Sequence, residues 1–398
     1  MRATMLVLCL GLLIGVASAV DSLNVRLIGI CDTPGAANGV AVSGTHAYVT
    51  TEGGGLRVIS VADPAHPDEV GGYYTLGVME GVAVSGDYAY VVVFPGGLRV
   101  VSVSDPANPV EVGYCDTPGG SCGVAVEGDY VYVADLDSGL RVISVADPVN
   151  PVEVGHCNTP DWAYGVAVSG SYAYVADNDS GLRVISVVDA AHPVEVGYCD
   201  APSAAFGVAV SGDYAYVTGI HYGMWVMSVA DPAHPVAVGS CGLSGEAYGI
   251  AASGGCVHVA NDVAGLRIIS VADPALPDEV GYYRTGFARS VFVCGDYTYV
   301  MDYLGGLQIL QFYGGGVEEA PKAGVRTAGP IPTVVRGVLD LQVGSRQQAV
   351  DRAELLDAAG RRVMNLQAGA NDVSRLAPGV YFIREAQAKS VRKVVIQR

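Results

Sequence analysis

One phrase is written seven times into this chain of 398 residues. It begins GVAVSG at Gly39 and returns every 42 residues at Gly81, Gly123, Gly165, Gly207 and Gly249, then once more, one residue early, as SVFVCG at Ser290. A second phrase, GLRVISV, keeps the same step from Gly55 through Gly97, Gly139, Gly181, Gly223 and Gly265 to Gly306. A strand-rich unit of about 40 residues cannot bury a core alone, and seven of them read as blades arranged round one axis. The fold class expected is all-β: a seven-bladed β-propeller.

The unit at residues 123–160 shows how a blade is built. GVAVEG alternates apolar and small residues as one strand, Gly128-Asp129 makes a tight hairpin, and YVYVAD is the second strand. LDSG turns the chain into GLRVISV, the most uniformly apolar strand, as expected of one packed on both faces. Asp147-Pro148 begins the next turn, and PVEVGHC is the fourth strand. After the seventh GLxIL phrase no fourth strand follows; the chain runs into Gly314-Gly315-Gly316. The missing piece stands at the other end, where VRLIGICDTP at 25–34 matches VEVGYCDTP at 110–118. The N-terminal strand is therefore expected to close the last blade, leaving no open edge there.

Charge divides the chain. Residues 20–316 hold 8 Arg, no Lys and 32 acidic residues, a net of −24, whereas residues 317–398 carry 13 basic and 8 acidic residues, a net of +5. Such an asymmetry marks a domain boundary. A ring this acidic is a poor phosphate binder, because Lys and Arg supply most of the affinity, so nucleic acid is excluded as a partner. At the start, Arg2, an apolar run over 5–16 and Ala17-Ser18-Ala19 read as a signal peptide of residues 1–19. A bilayer takes about 20 apolar residues, so no transmembrane segment is expected. The expected organisation is leader 1–19, propeller 20–313, linker 314–330 and a C-terminal β-sandwich 331–398, the protein being secreted or displayed on the cell surface.

The cadence YVYVAD…GLRVISVADPxxPVEVG resembles the LVIVD-repeat family of bacterial surface propellers over residues 25–313. That resemblance implies the fold and an exported setting, and little about the ligand. Short apolar runs beyond 333 suggest a small antiparallel, Ig-like sandwich. Within it LLDAAGRRV (355–363), LAPGVYFIR (376–384) and RKVVIQR (392–398) resemble the sorting domain of the type IX secretion system, with Asp357, Gly360, Arg361, Val363, Leu376, Gly379, Tyr381 and Lys393 on its pattern. The usual Asn-Pro opening is Gly329-Pro330-Ile331-Pro332 here. The likeness implies an address read by the secretion machinery.

Nine cysteines in an exported chain raise the question of disulfides. Cys31, Cys115, Cys157, Cys199 and Cys241 share one blade position, too far apart to bridge within the ~7 Å Cα limit. Cys115 with Cys122, and Cys256 with Cys294, remain possible pairs. Gly119-Gly120-Ser121-Cys122-Gly123 fits G-x-S-x-G, but no helix follows to build a nucleophile elbow. His66, His192 and His234 share a turn position on separate blades and do not converge on a metal. Asp135 with Asp137, and Asp177 with Asp179, are spaced to gather on Ca²⁺, with turn capping as the competing reading. No other cofactor is expected.

Comparison between units yields one more pattern. Arg57, Arg99, Arg141, Arg183 and Arg267 each precede a glutamate by twelve residues: Glu69, Glu111, Glu153, Glu195 and Glu279. Where Trp225 and Gln308 replace the Arg, Ala237 and Leu27 replace the Glu, so a repeated ion pair is expected. The loops, by contrast, vary. Trp162, Tyr164, Phe206, His221, Tyr222, Tyr248, Glu246 and Arg289 would gather aromatic and charged groups on one end of the ring, as a face for a glycan or protein of the cell envelope. Packing between blades is the rival account of the same rings. A non-enzymatic binding propeller is thus the first reading. A hydrolase, lyase or metal-dependent site at the channel mouth, and a purely structural envelope component, are the alternatives.

Overall fold

The computed structural model describes residues 22–201 and 203–314 and seven strands beyond Pro332. The expected leader, and the expected linker apart from Gly314, lie outside the described residues. The chain divides into two compact units, Met1–Phe312 and Tyr313–Arg398.

Seven antiparallel sheets of four strands form the first unit, one of them extended by a fifth strand. Their first strands are Ala36–Ser43, Val78–Ser85, Gly123–Glu127, Ala163–Ser169, Ala205–Ser211, Ile250–Ser253 and Ala288–Cys294. Each touches the first strand of the blade before and after it, and the seventh returns to the first, so they line the axis of a closed ring. Backbones there meet closely. A Cβ on Gly123 would stand 2.6 Å from the Tyr164 carbonyl oxygen, and one on Gly39 2.6 Å from that of Glu80. The glycine that opens each GV phrase is thus required by the neighbouring inner strand.

The third strands, such as Gly55–Ser60 and Leu140–Ser144, are buried on both faces, because the hydrophobic cores lie between blades rather than within them. Leu98, Val100, Val131, Val133 and Ile143, for example, interdigitate between blades 2 and 3. Each fully buried Leu or Ile contributes about 2 kcal/mol relative to exposure. At the opposite end from the variable loops, the turns that open with Asp are capped as the sequence suggests. Asp63 accepts from the Ala65 amide at 3.1 Å and meets His66 at 2.9 Å, and His192 and His234 pair with Asp189 and Asp231 in the same way.

Four of the five expected Arg–Glu pairs form within their blades, at 3.1 to 3.4 Å: Arg57–Glu69, Arg141–Glu153, Arg183–Glu195 and Arg267–Glu279. The fifth does not. Arg99 turns to Asp116 at 3.2 Å, and Glu111 instead accepts the Tyr73 hydroxyl from the preceding blade. Where Trp225 replaces the arginine, the end of the second strand becomes Gly219, since a Cβ there would collide with the indole.

Closure is as the sequence predicts. Val25–Cys31 pairs antiparallel with Gly306–Phe312 as the fourth strand of blade 7, Val25 opposite Phe312. An addition was not legible: Ser22–Leu23 forms a fifth strand on blade 6, against Asp278–Tyr283. Asn24 makes the step between the two blades. Its φ of 55° lies in the left-handed region that Asn tolerates, and its side-chain amide donates to the Val280 carbonyl at 2.7 Å.

The second unit is also β-structured. Thr333–Val335, Val391–Ile396, Gly379–Glu385, Ala353–Leu356 and Arg362–Leu366 form one sheet in that order, and Val338–Leu341 pairs with Gly369–Asp372. The first pair of the larger sheet is parallel, not antiparallel as the run of short strands suggested. All eight described cysteines are free thiols, so neither Cys115 with Cys122 nor Cys256 with Cys294 is bridged. Among the described residues no helix is long and apolar enough to cross a membrane.

Candidate functional site at the mouth of the ring

Seven side chains surround one mouth of the channel: Asn38, Glu80, Cys122, Tyr164, Phe206, Tyr248 and Arg289, one from each blade. A β-bulge aims them there. In blade 4 Ala163 pairs with Asp177 and Gly165 with Ala176, which leaves Tyr164 as the extra residue. Register shifts at the same place release Asn38, Glu80, Phe206 and Arg289. In blades 3 and 6 the amides of Cys122 and Tyr248 reach the carbonyls of Ala134 and Ala260, at 3.0 and 2.9 Å. A bulge turns a side chain out of the pleat, and seven in register make a collar.

The collar has two arcs. Tyr164 and Phe206 stack at 4.5 Å, Phe206 meets Tyr248 edge-on at 5.0 Å, and the Arg289 guanidinium lies 4.2 Å above Tyr248 and 5.4 Å from Tyr303. Such contacts add about 0.5–1.5 kcal/mol each beyond burial. Trp162 continues the row, 6.3 Å from Tyr164. Glu246 accepts the Tyr248 hydroxyl and lies 4.0 Å from His221, whose neighbour Tyr222 leans on Trp225 at 6.3 Å. All eight predicted site residues therefore join one arc over blades 4 to 7. The expected open aromatic faces are only partly present. Tyr164, Phe206 and Tyr248 are half-buried against one another, and Trp162 and Tyr222 remain 51% and 58% exposed.

The opposite arc is polar. Burial and the nearby Glu52 raise the Glu80 carboxyl, while Arg289 opposes the rise. Burial, with Glu80 and Asp135 beside it, pushes the Cys122 thiol up to about 12, so it stays protonated and is no nucleophile at neutral pH. Tyr248 and Tyr164 are likewise raised, chiefly by burial. Sequence reasoning passed over Glu52 and Tyr303, whose hydroxyl donates to Glu52 at 3.2 Å. Tyr303 follows the second strand of blade 7, beside Arg289, and Glu52 ends the second strand of blade 1, which only the closed ring brings to it.

Asp135 and Asp177 are occupied otherwise than as a cation pair with Asp137 and Asp179. Asp135 is fully buried and accepts from Thr117 at 2.6 Å, Ser121 at 2.8 Å and the Gly119 amide at 2.8 Å. Asp177 does the same for Thr159 and the Asp161 amide, while Asp137 and Asp179 face solvent. Among the described residues no three His, Cys, Asp or Glu side chains meet in a way that could hold a metal ion. Ser121 of the G-x-S-x-G sequence is itself buried, bonded to Asp135 and followed by the strand Gly123–Glu127.

Around the collar, exposed apolar side chains crown the same end. Leu76 and Leu304 are 94% and 74% exposed, and with them stand Phe94 at the end of a strand of blade 2 and Val263 and Phe287 on loops of blades 6 and 7. Backbone bonds stitch these loops blade to blade, as in Leu136 with Ala163, Asn178 with Ala205 and Asp262 with Ala288.

A ring of this kind defines the class: a seven-bladed β-propeller of short repeats. The LVIVD repeat matches at 34–75, 77–117, 118–159, 162–201, 203–242, 244–285 and 286–310, and the chain belongs to that family. Solved structures share the fold at low identity. The WD40 β-propeller domain of Doa1 is 12% identical, TM-score 0.59, over 73% of this chain and 97% of that one. U3-55K is 12% identical, TM-score 0.57, over 72% and 98%, and the computationally designed Ika8 protein 8% identical, TM-score 0.54, over 72% and 99%. No curated protein matches the chain.

Proposed function

We propose that this is an exported propeller without catalytic activity that docks a protein of the cell envelope on the loop-rich mouth of the ring. The observation that carries the reading is the crown of exposed apolar side chains, Leu76, Phe94, Trp162, Tyr222 and Leu304, around a collar whose own rings are already packed. Exposed apolar groups gathered on one face suit a protein surface. The acidic body favours a partner of basic charge. A glycan is the second reading, supported by Trp162, half-open beside Asp161, whose carboxylate accepts from the Trp162 amide at 2.9 Å. The leader-like start, and the resemblance of residues 331–398 to a type IX sorting domain, support delivery to the cell surface.

The test is retention of the full chain without residues 1–19 on arrays of envelope proteins and of glycans, with Trp162→Ala, Tyr222→Ala and Leu304→Ser. Anchoring residues of an interface cost 2 kcal/mol or more when truncated, about thirty-fold in affinity. The expected result is loss of protein retention on that scale with an unchanged melting temperature. Retention on glycans alone would transfer the assignment to the second reading. Unaltered retention in all three variants would overturn both.

A further inference from the structure

Departures from the repeat meet at one place on the other end of the ring. The second strand carries a Tyr-x-Tyr pair in five blades, such as Tyr88/Tyr90 and Tyr297/Tyr299, and blade 1 keeps one member as Tyr48. Blade 6 alone has neither, with Cys256 and His258 instead. In blade 7, Thr298 stands where every other blade has Ala or Val, and Phe312 where every other has Val. All four line a cavity of about 190 Å³ between the hairpins of blades 6 and 7, together with Asp296 and Tyr297.

Ring closure opens this space. Elsewhere each Asp-Pro turn covers a glycine on the outer strand of the preceding blade, Pro106 over Gly71 and Pro274 over Gly239. Blade 7 has no such turn, because its last two strands come from opposite chain ends, and the Phe312 ring lies over Gly281 in its place. The cavity also has a polar wall: buried His258 meets the Thr298 hydroxyl through Nδ1 at 3.0 Å, with Phe312 edge-on to the imidazole at 6.4 Å.

The repeat itself indicates the shape that fits. In blades 1 and 2 the corresponding rings, Tyr48 and Tyr90, are buried and sense a carboxylate on the next hairpin, Asp87 and Asp129. Asp296 is that residue in blade 7. A cavity of about 150 Å³ left by deleting a core side chain takes up benzene, so one aromatic ring is within the capacity of this one. We propose that the cavity between blades 6 and 7 binds a single hydroxyphenyl group, presented by a small phenol or by a tyrosyl side chain.

Titration of the full chain without residues 1–19 with 4-methylphenol and with N-acetyltyrosinamide, followed by NMR and thermal melting, tests this. The expected result is saturable perturbation of the His258 and Thr298 signals with a Kd on the order of 1 mM or tighter, and a rise in melting temperature. The double variant Cys256→Tyr/His258→Tyr, which restores the repeat, should lose the response. Binding of 4-methylphenol alone identifies a small phenol, and binding of N-acetyltyrosinamide at equal strength a tyrosyl group. No response in the parent chain, or an equal one in the filled variant, overturns the proposal. Should that variant fail to fold, perturbations in the parent chain lying away from Cys256, His258 and Thr298 would do so.

Discussion

Burial holds the His258 imidazole down at about 4, against an ordinary value of 6.5. Between those two values an unfolded chain takes up a proton that the folded one refuses, so stability falls as pH drops, by about 3 kcal/mol on reaching pH 4. The groups around the ring are Cys256, Thr298, Asp296 and Tyr297. Asp177, raised mainly by burial, acts in the opposite direction, so the comparison must be made between variants rather than against zero. His258→Tyr should remove this acid sensitivity, giving a flatter dependence of unfolding free energy between pH 6.5 and 4. Equal slopes for both proteins in denaturant titrations across that range would refute the assignment.

At the scale of strands, the two short segments separated by Asn24 have unequal duties. Val25–Cys31 covers the edge of Gly306–Phe312, whereas Ser22–Leu23 adds a fifth strand to a blade already complete. Removing residues 20–23 should therefore change the melting temperature little. Removing 20–34 should bare an apolar sheet edge and drive association, visible as light scattering and loss of the monomer peak in gel filtration. A monomer of unchanged stability after the longer deletion would contradict the pairing. The ring, its strand order and this closure were legible because repetition exposes them: a strand absent at one end and surplus at the other can only be matched. The collar was legible in part. Tyr164, Phe206, Tyr248 and Arg289 stand out because they precede the repeated first-strand phrase, but their bulges are set by register and carry no residue signature. Glu52 stayed hidden for another reason, being brought to Tyr303, beside Arg289, by closure across nearly the whole chain. The Arg99–Glu111 pairing failed because Tyr73, where most blades have Cys, brings a hydroxyl to that glutamate from the blade before.

For the whole molecule, charge and fold both divide the chain near Tyr313. Truncation after residue 330 should leave the propeller folded, with an unchanged melting temperature, and stop its delivery to the cell surface, measured by protease accessibility on intact cells. Normal delivery would refute the sorting assignment, and loss of propeller folding would refute independence of the two units. The pairing of Val25 with Phe312 also orders events in time. Val25–Cys31 has no partner until Gly306–Phe312 of the last blade has been made, so the ring is completed only when nearly the whole propeller is available. Contacts this distant in sequence slow folding. Under the export proposed above, a slow last step would be an advantage: a body that cannot close early cannot jam the channel through which it leaves.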